Sequence, residues 1–297
     1  MSQNQVIQIA PSEAVINEWL KSFVPACTLY FVDENQLSRF HSDSGMLVIP
    51  RSEFDLHPAY REISLANAYT YWMIDQAASH VLHVSEDWLQ CLSDELKHEL
   101  LINQVHFGRG LMFSVSDIRL SKKLESYSVK LNGETYIDLQ RNVWKCLTRF
   151  ERRQLILDYA KEWESWETCM PSSETPKHIA KWANTFSSVS GSNCLAATLF
   201  AITKQEWFLT QWIHSQTFLH TLTHASYKEV EAPIQPGDVV TFWDSEGRLQ
   251  HATYCIAEGL FFNKNGQTIF NPWKVIDEQD LFASWKTDRI KIFRYKQ

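Results

Sequence analysis

The sequence predicts an α+β protein in two parts, and three observations carry that prediction. Apolar residues recur at helical spacing in both halves; an Asn-Gly dipeptide between alternating segments marks a β-hairpin in the first half; and in the second half a block of helices is followed by a block of strands. At 297 residues the chain exceeds the usual size of one compact domain. The expected organisation is a mixed α+β N-terminal domain over 1–170 and a second α+β domain over 171–297. Hydrophobic residues make up 44% and charged residues 21%, enough apolar surface for real cores and too much for extended disorder.

In the N-terminal half, Leu29-Tyr30-Phe31-Val32 and Met46-Leu47-Val48-Ile49-Pro50 look like short strands, separated by turn residues at His41-Ser42-Asp43-Ser44-Gly45. Leu65, Ala66, Ala68, Tyr69, Trp72 and Met73 suggest a helix from Ser64 to about His80. A second helix is expected to start at a Ser85 cap, with Glu86 and Asp87 in its first turn and Trp88, Leu89, Leu92, Leu96 and Leu100 along one face, ending by Gly108. Tyr127–Leu131 and Glu134–Leu139 flank Asn132-Gly133, whose residues tolerate the positive φ of a two-residue turn. Thr148 and Glu151 form a capping box ahead of a helix with Leu155 or Ile156, Tyr159, Ala160 and Trp163 on one face. Glu162 and Glu164 look like a solvated helix face.

The stretch Met170–Pro176 has linker composition. Pro176 suits the first position of a helix that turns Ile179, Trp182, Ala183 and Phe186 inward, with Thr175 as its cap. Ser187–Gly191 then lead into Asn193-Cys194-Leu195-Ala196-Ala197-Thr198-Leu199-Phe200-Ala201, a strong helix-former run, and 204–224 is expected to be helical too. Val239–Trp243, Leu249–Ala257, Leu260–Asn265 and Ile290–Tyr295 read as strands.

The candidate chemistry lies in this half. Cys194 opens a helix, where free backbone N–H groups and the helix dipole favour a thiolate and can pull its pKa below the free value of about 8.5. His251, Thr253 and Cys255 share one face of their strand. A nucleophilic thiol needs such a histidine to receive and return the proton, and a polar group to hold the imidazole in one tautomer. With a three-residue Ala257-Glu258-Gly259 loop, Thr253 falls opposite Asn263 and His251 opposite Asn265, so both asparagines join the His251 face. A two-residue loop turns both away, and register alone leaves Asn263 and Asn265 open. Cys255 reads as core packing beneath His251.

A cysteine opening a helix, then Pro236-Gly237-Asp238-Val239-Val240-Thr241-Phe242-Trp243, a strand led by His251, a tight glycine turn and a polar residue on the returning strand together resemble the NlpC-type branch of the papain-like cysteine peptidases. The resemblance covers roughly 175–297. It implies a papain-like fold there and a cysteine-dependent amide hydrolase with Cys194 as nucleophile and His251 as general base. The third member then falls twelve positions after the histidine, at Asn263, with Asn265 as fallback. The chain departs from the family's usual Asp-Cys-Ser-Gly, having Asn193-Cys194-Leu195-Ala196. The implied substrate is a peptide or small amide, in the family's terms a muropeptide-like fragment. The same residues also fit an inactive binding or assembly module of this fold, or a thiol acyltransferase.

A net charge of -7 and a pI near 5.9, with no basic stripe, argue against nucleic-acid or anionic-membrane partners. No apolar run reaches the ~20 residues of a membrane span. Met1-Ser2-Gln3-Asn4-Gln5 shows no signal-peptide pattern, and six dispersed cysteines without a CxxC pair read as free thiols, so a cytoplasmic setting is expected. His214, His220 and His224 include a pair four apart on one helical face but lack an evident further ligand. No metal and no cofactor is expected.

Overall fold

The computed structural model describes residues 5–40, 45–115, 122–287 and 289–296. The turn expected at His41–Ser44 lies outside them. The protein is α+β, built on antiparallel sheets. Its Cα packing separates two compact units: Asn17–Tyr159, and the residues up to Ile16 together with those from Ala160 onward. The sequence expectation divided the chain near residue 170; by packing, the extreme N-terminal segment belongs with the C-terminal half, where Val6–Gln8 pairs antiparallel with Glu167–Cys169.

Unit Asn17–Tyr159 holds two three-stranded sheets. His80–Val84 lies between Thr28–Val32 and Leu47–Pro50, and Glu134–Asp138 lies between Met112–Ser114 and Ser128–Leu131. The Asn-Gly turn forms with φ of 51° at Asn132 and 87° at Gly133. The Thr148–Glu151 box closes in both directions, Thr148 N–H to Glu151 Oε2 at 2.6 Å and Glu151 N–H to Thr148 Oγ1 at 3.2 Å. Two helix expectations need correcting. The first stops at Tyr69 because Thr70 turns left-handed, and a strand begins at His80. The second is broken: Trp88–Cys91 is one short turn, Leu92 is extended, and Ser93 rather than Ser85 caps Asp94–His106 by accepting from Leu96 N–H. Past the first break the apolar residues Trp72 and Met73 are exposed, whereas past the second Leu100 is buried in the same cluster as Trp88 and Leu89. At the centre of this unit the fully buried Arg109 donates to Asp138 at 2.6 Å, and Tyr30 Oη donates to the other carboxylate oxygen at 2.6 Å. Removing either partner would leave the other charge buried and uncompensated.

The second unit positions the candidate site. Its six-stranded sheet is formed by β1 (Tyr227–Val230), β2 (Val239–Trp243), β3 (Leu249–Ala257), β4 (Leu260–Asn263), β5 (Lys274–Asp277) and β6 (Arg289–Tyr295), in spatial order β5-β4-β3-β2-β6-β1, antiparallel throughout. Strand alternation sends Val239, Ala252, Ile256, Phe262 and Val275 to one face, where they pack with Leu195, Ala196, Leu199 and Phe200 of α1 (Cys194–Thr203). Val240, Phe242, Cys255, Phe261 and Ile276 go to the other, beneath Leu281 of α3 (Glu278–Ser284). The expected single helix over 204–224 is instead a 3-10 turn at Glu206–Thr210 and α2 (Ser215–His224), because Lys204 ends α1 left-handed and Gln211 is extended. The Pro176 helix is short, Lys177–Ala180, with Pro176 itself at the cap position.

Candidate active site

Cys194 is the first residue of α1. Asn193 caps the helix by accepting from Ala196 N–H at 3.0 Å while its amide group donates to Ile213 O at 2.7 Å. An aspartate could cap but could not also donate; the asparagine ties the cap to the following loop. Gly191 precedes this cap at φ 143°, and a Cβ there would lie 2.1 Å from Thr210 O, so only glycine lets the chain pass so close.

The β3–β4 hairpin turns through Glu258-Gly259, two residues rather than the expected three, with Gly259 at φ 68°. Two-residue closure alone would turn the asparagines away from His251. An irregularity between Cys255 and Ala257 inserts one residue into β3, so Ala257 pairs with Leu260 but Cys255 with Phe261 and Tyr254 with Phe262. The bulge restores the parity. Asn263 consequently reaches the His251 side, with 2.7 Å between His251 Nε2 and Asn263 Oδ1.

Among the described residues, Asn265 makes no hydrogen bond to the imidazole, whose Nε2 is taken by Asn263 and whose Nδ1 has no partner. Asn265 Oδ1 accepts from Asn263 Nδ2 at 2.6 Å and from the indole N–H of Trp285 at 3.2 Å, and its Nδ2 donates to Glu164 Oε1 at 2.8 Å. The Trp285 ring stacks on His251, centroids 4.0 Å apart and planes within 8°. Phe242 flanks the same ring at 5.8 Å. His251 is fully buried in this sleeve, and its Nδ1 has no hydrogen-bond partner. Burial pushes the imidazole pKa down to about 3, against a smaller opposing contribution from Asn263, so the ring is neutral.

Cys194 is partly buried and packs against the cluster that contains Ala252, Ile256 and Phe262. Burial raises its thiol pKa. The backbone N–H groups of Ala252, Leu195 and Cys194 and the charge of Lys264 act the other way without reversing the result. The expected lowering by the helix N-terminus is therefore corrected: desolvation outweighs the aligned N–H groups. The contribution of Ala252 N–H places the sulfur against the backbone of the residue next to His251. Among the described residues no hydrogen bond joins Cys194 to His251, since Nδ1 is unpartnered.

Three neighbours escaped the sequence reading. Lys264 is buried, donates to Thr268 O at 2.8 Å and to Asn271 O, and has its pKa lowered by burial to about 7, with Glu164 and Cys194 opposing. Glu164, expected on a solvated face, has a side chain only 7% exposed, paired with Lys274 at 3.3 Å. Glu162 is exposed as expected. Trp285 sits in no motif. No local pattern marks these residues, because long-range packing alone brings them together.

Beyond Trp285 a cleft of about 760 Å³ is lined by Trp243, Asp244, Gln250, Lys286 and Arg289 among others; neither Cys194 nor His251 is part of its lining. Cys255 is core, with its thiol donating to Ala257 O at 3.2 Å. All six cysteines are free. His214, His220 and His224 are exposed, and among the described residues no group of three or more His, Cys, Asp or Glu is arranged to hold a metal ion. No helix of the described residues is long and apolar enough to cross a membrane. Comparison with protein-family models, with curated proteins and with solved structures gives no match.

Proposed function

We propose that the unit holding Cys194 is a papain-like thiol hydrolase acting on a peptide or small amide. One observation carries the reading: His251 is held at Nε2 by Asn263 while Nδ1 is bare, on the strand whose next N–H faces the Cys194 sulfur. A neutral thiol and a neutral imidazole suit general-base activation rather than a resting ion pair. As Sγ attacks the carbonyl carbon, its proton passes to Nδ1. The backbone N–H groups at the start of α1 face the developing oxyanion. The C–N bond then breaks as the imidazolium protonates the leaving amine, and Nδ1 next takes a proton from water, which attacks the thioester and frees the acid and the thiol. Catalytic contacts often shorten only when substrate binds, which accommodates a histidine nitrogen without a partner in the free protein.

The raised thiol and the absent Cys–His hydrogen bond favour, as the second reading, a binding module that keeps the fold without the chemistry. A panel of peptide anilides and amides separates the two. Hydrolysis that disappears in Cys194→Ala and in His251→Ala supports the enzyme, whereas turnover by neither wild type nor variants leaves the module. Acyl transfer to an added amine in preference to water identifies the acyltransferase form of the same chemistry.

A further inference from the structure

We propose that Glu164 is a positioning residue that sets the tautomer of His251 through Asn265 and Asn263. The inference rests on the reading of His251 as a base, and it adds a residue lying 87 positions upstream in the sequence.

Each group in the chain has a forced direction. As a carboxylate, Glu164 accepts only. Its Oε1 takes Asn265 Nδ2 at 2.8 Å, and its Oε2 takes Asn271 Nδ2 at 3.1 Å. The orientation of Asn271 is fixed independently, because its Oδ1 accepts from the backbone N–H of Thr268 at 3.2 Å, a donor that cannot reverse. Asn265 is fixed from its other end by the indole N–H of Trp285, also donor only, which contacts Oδ1 at 3.2 Å. With Asn265 Oδ1 committed as acceptor, Asn263 must present its amide group there, at 2.6 Å. Asn263 Oδ1 is then the atom left facing His251 Nε2 at 2.7 Å. An oxygen in that place demands a hydrogen on Nε2. The neutral ring therefore carries its proton at Nε2, and Nδ1 offers a lone pair.

The side chain of Glu164 is 7% exposed and balanced by the Lys274 ammonium at 3.3 Å, so the acceptor sits where water competes little. Charge at one end of a hydrogen-bonded amide chain also strengthens each bond along it. Glu164 touches no reacting atom. Its effect passes wholly through the two asparagines.

The test is long-range proton–nitrogen NMR on the full chain with ¹⁵N-labelled histidine, with His251 assigned by its loss in His251→Gln. Wild type is expected to show a single tautomer, Nε2 protonated and Nδ1 bare. In Glu164→Gln the carboxamide can donate as well as accept, and the reversed chain becomes accessible. The tautomer ratio at His251 is expected to move by about tenfold or more, the effect of losing one charge-assisted hydrogen bond. Asn265→Ala interrupts the same chain at a half-buried position and shifts the ratio in the same direction, so the test stands even where Glu164→Gln does not fold. With an amide substrate in hand, kcat falls in both variants while KM holds. A single Nε2-protonated tautomer retained in a folded variant overturns the proposal, as does a wild type protonated at Nδ1. Because the readout needs no turnover, an intact relay in a chain that hydrolyses nothing would sink the hydrolase reading and leave this one standing.

Discussion

Replacing His251 by glutamine removes a group whose protonation is coupled to folding, and the size of that coupling follows from its environment. Burial between Trp285 and Phe242 takes the imidazole from its ordinary value of 6.5 to about 3. The folded pKa is depressed, so below 6.5 the unfolded chain binds the proton and the folded one does not; stability falls as pH drops from 6.5 toward 3. The slope approaches about 1.4 kcal/mol per pH unit, and from pH 7 to pH 5 the cost integrates to about 2 kcal/mol. This figure hardly changes if the folded value is one unit higher, because pH 5 still lies above it. Hydrogen exchange of the amides in Leu249–Ala257, corrected for intrinsic rates, reports the opening free energy of the unit that holds the histidine. Wild type should lose about 2 kcal/mol more than His251→Gln between pH 7 and pH 5. Equal losses would mean that the ring is protonated in the folded state, and the account of a neutral, sheltered base would be wrong.

Other consequences follow from single contacts. Trp285→Ala uncovers the imidazole, and its pKa should rise from about 3 toward 6.5, measured by NMR titration; an unmoved value would show that the stack does not keep water out. Asn193→Ala removes both the α1 cap and the donor to Ile213 O and should cost about 1–2 kcal/mol in denaturant unfolding, with Asn193→Asp intermediate because it retains the cap. Gly191→Ala places a methyl within 2.1 Å of Thr210 O and should lower stability by about 2–4 kcal/mol, read as a drop in melting temperature; a neutral result would mean that the loop before Cys194 relaxes freely.

Much of the fold was legible because some local signals are self-sufficient. Asn132-Gly133 and the Thr148–Glu151 box act within a few residues, and both formed. The strands around His251 could be read from their β-branched and aromatic runs. What was lost depended on distance. Val6–Gln8 becomes a strand only beside Glu167–Cys169, and Lys274–Asp277 only beside β4. Apolar periodicity also carried helices through Thr70 and Leu92, where backbone conformation ends them. At the site, a three-residue loop and the observed two-residue loop with a bulge both bring Tyr254 opposite Phe262, so the asparagine side is legible while the device that sets it is not. The sign of the Cys194 shift was missed because a helix N-terminus is visible in sequence and burial is not. Glu164 and Trp285 are invisible to any local pattern, being brought to the imidazole by the fold alone.

The most direct test of the central claim, that Nδ1 of His251 serves the Cys194 thiol, is the rate of Cys194 alkylation by iodoacetamide near neutral pH, read site by site by mass spectrometry in wild type and His251→Ala. General-base assistance of the kind proposed is worth about 100-fold or more. Cys194 should therefore react faster than the exposed Cys91 and Cys146 in wild type and lose that advantage in the variant. Equal Cys194 rates in the two proteins would contradict the account.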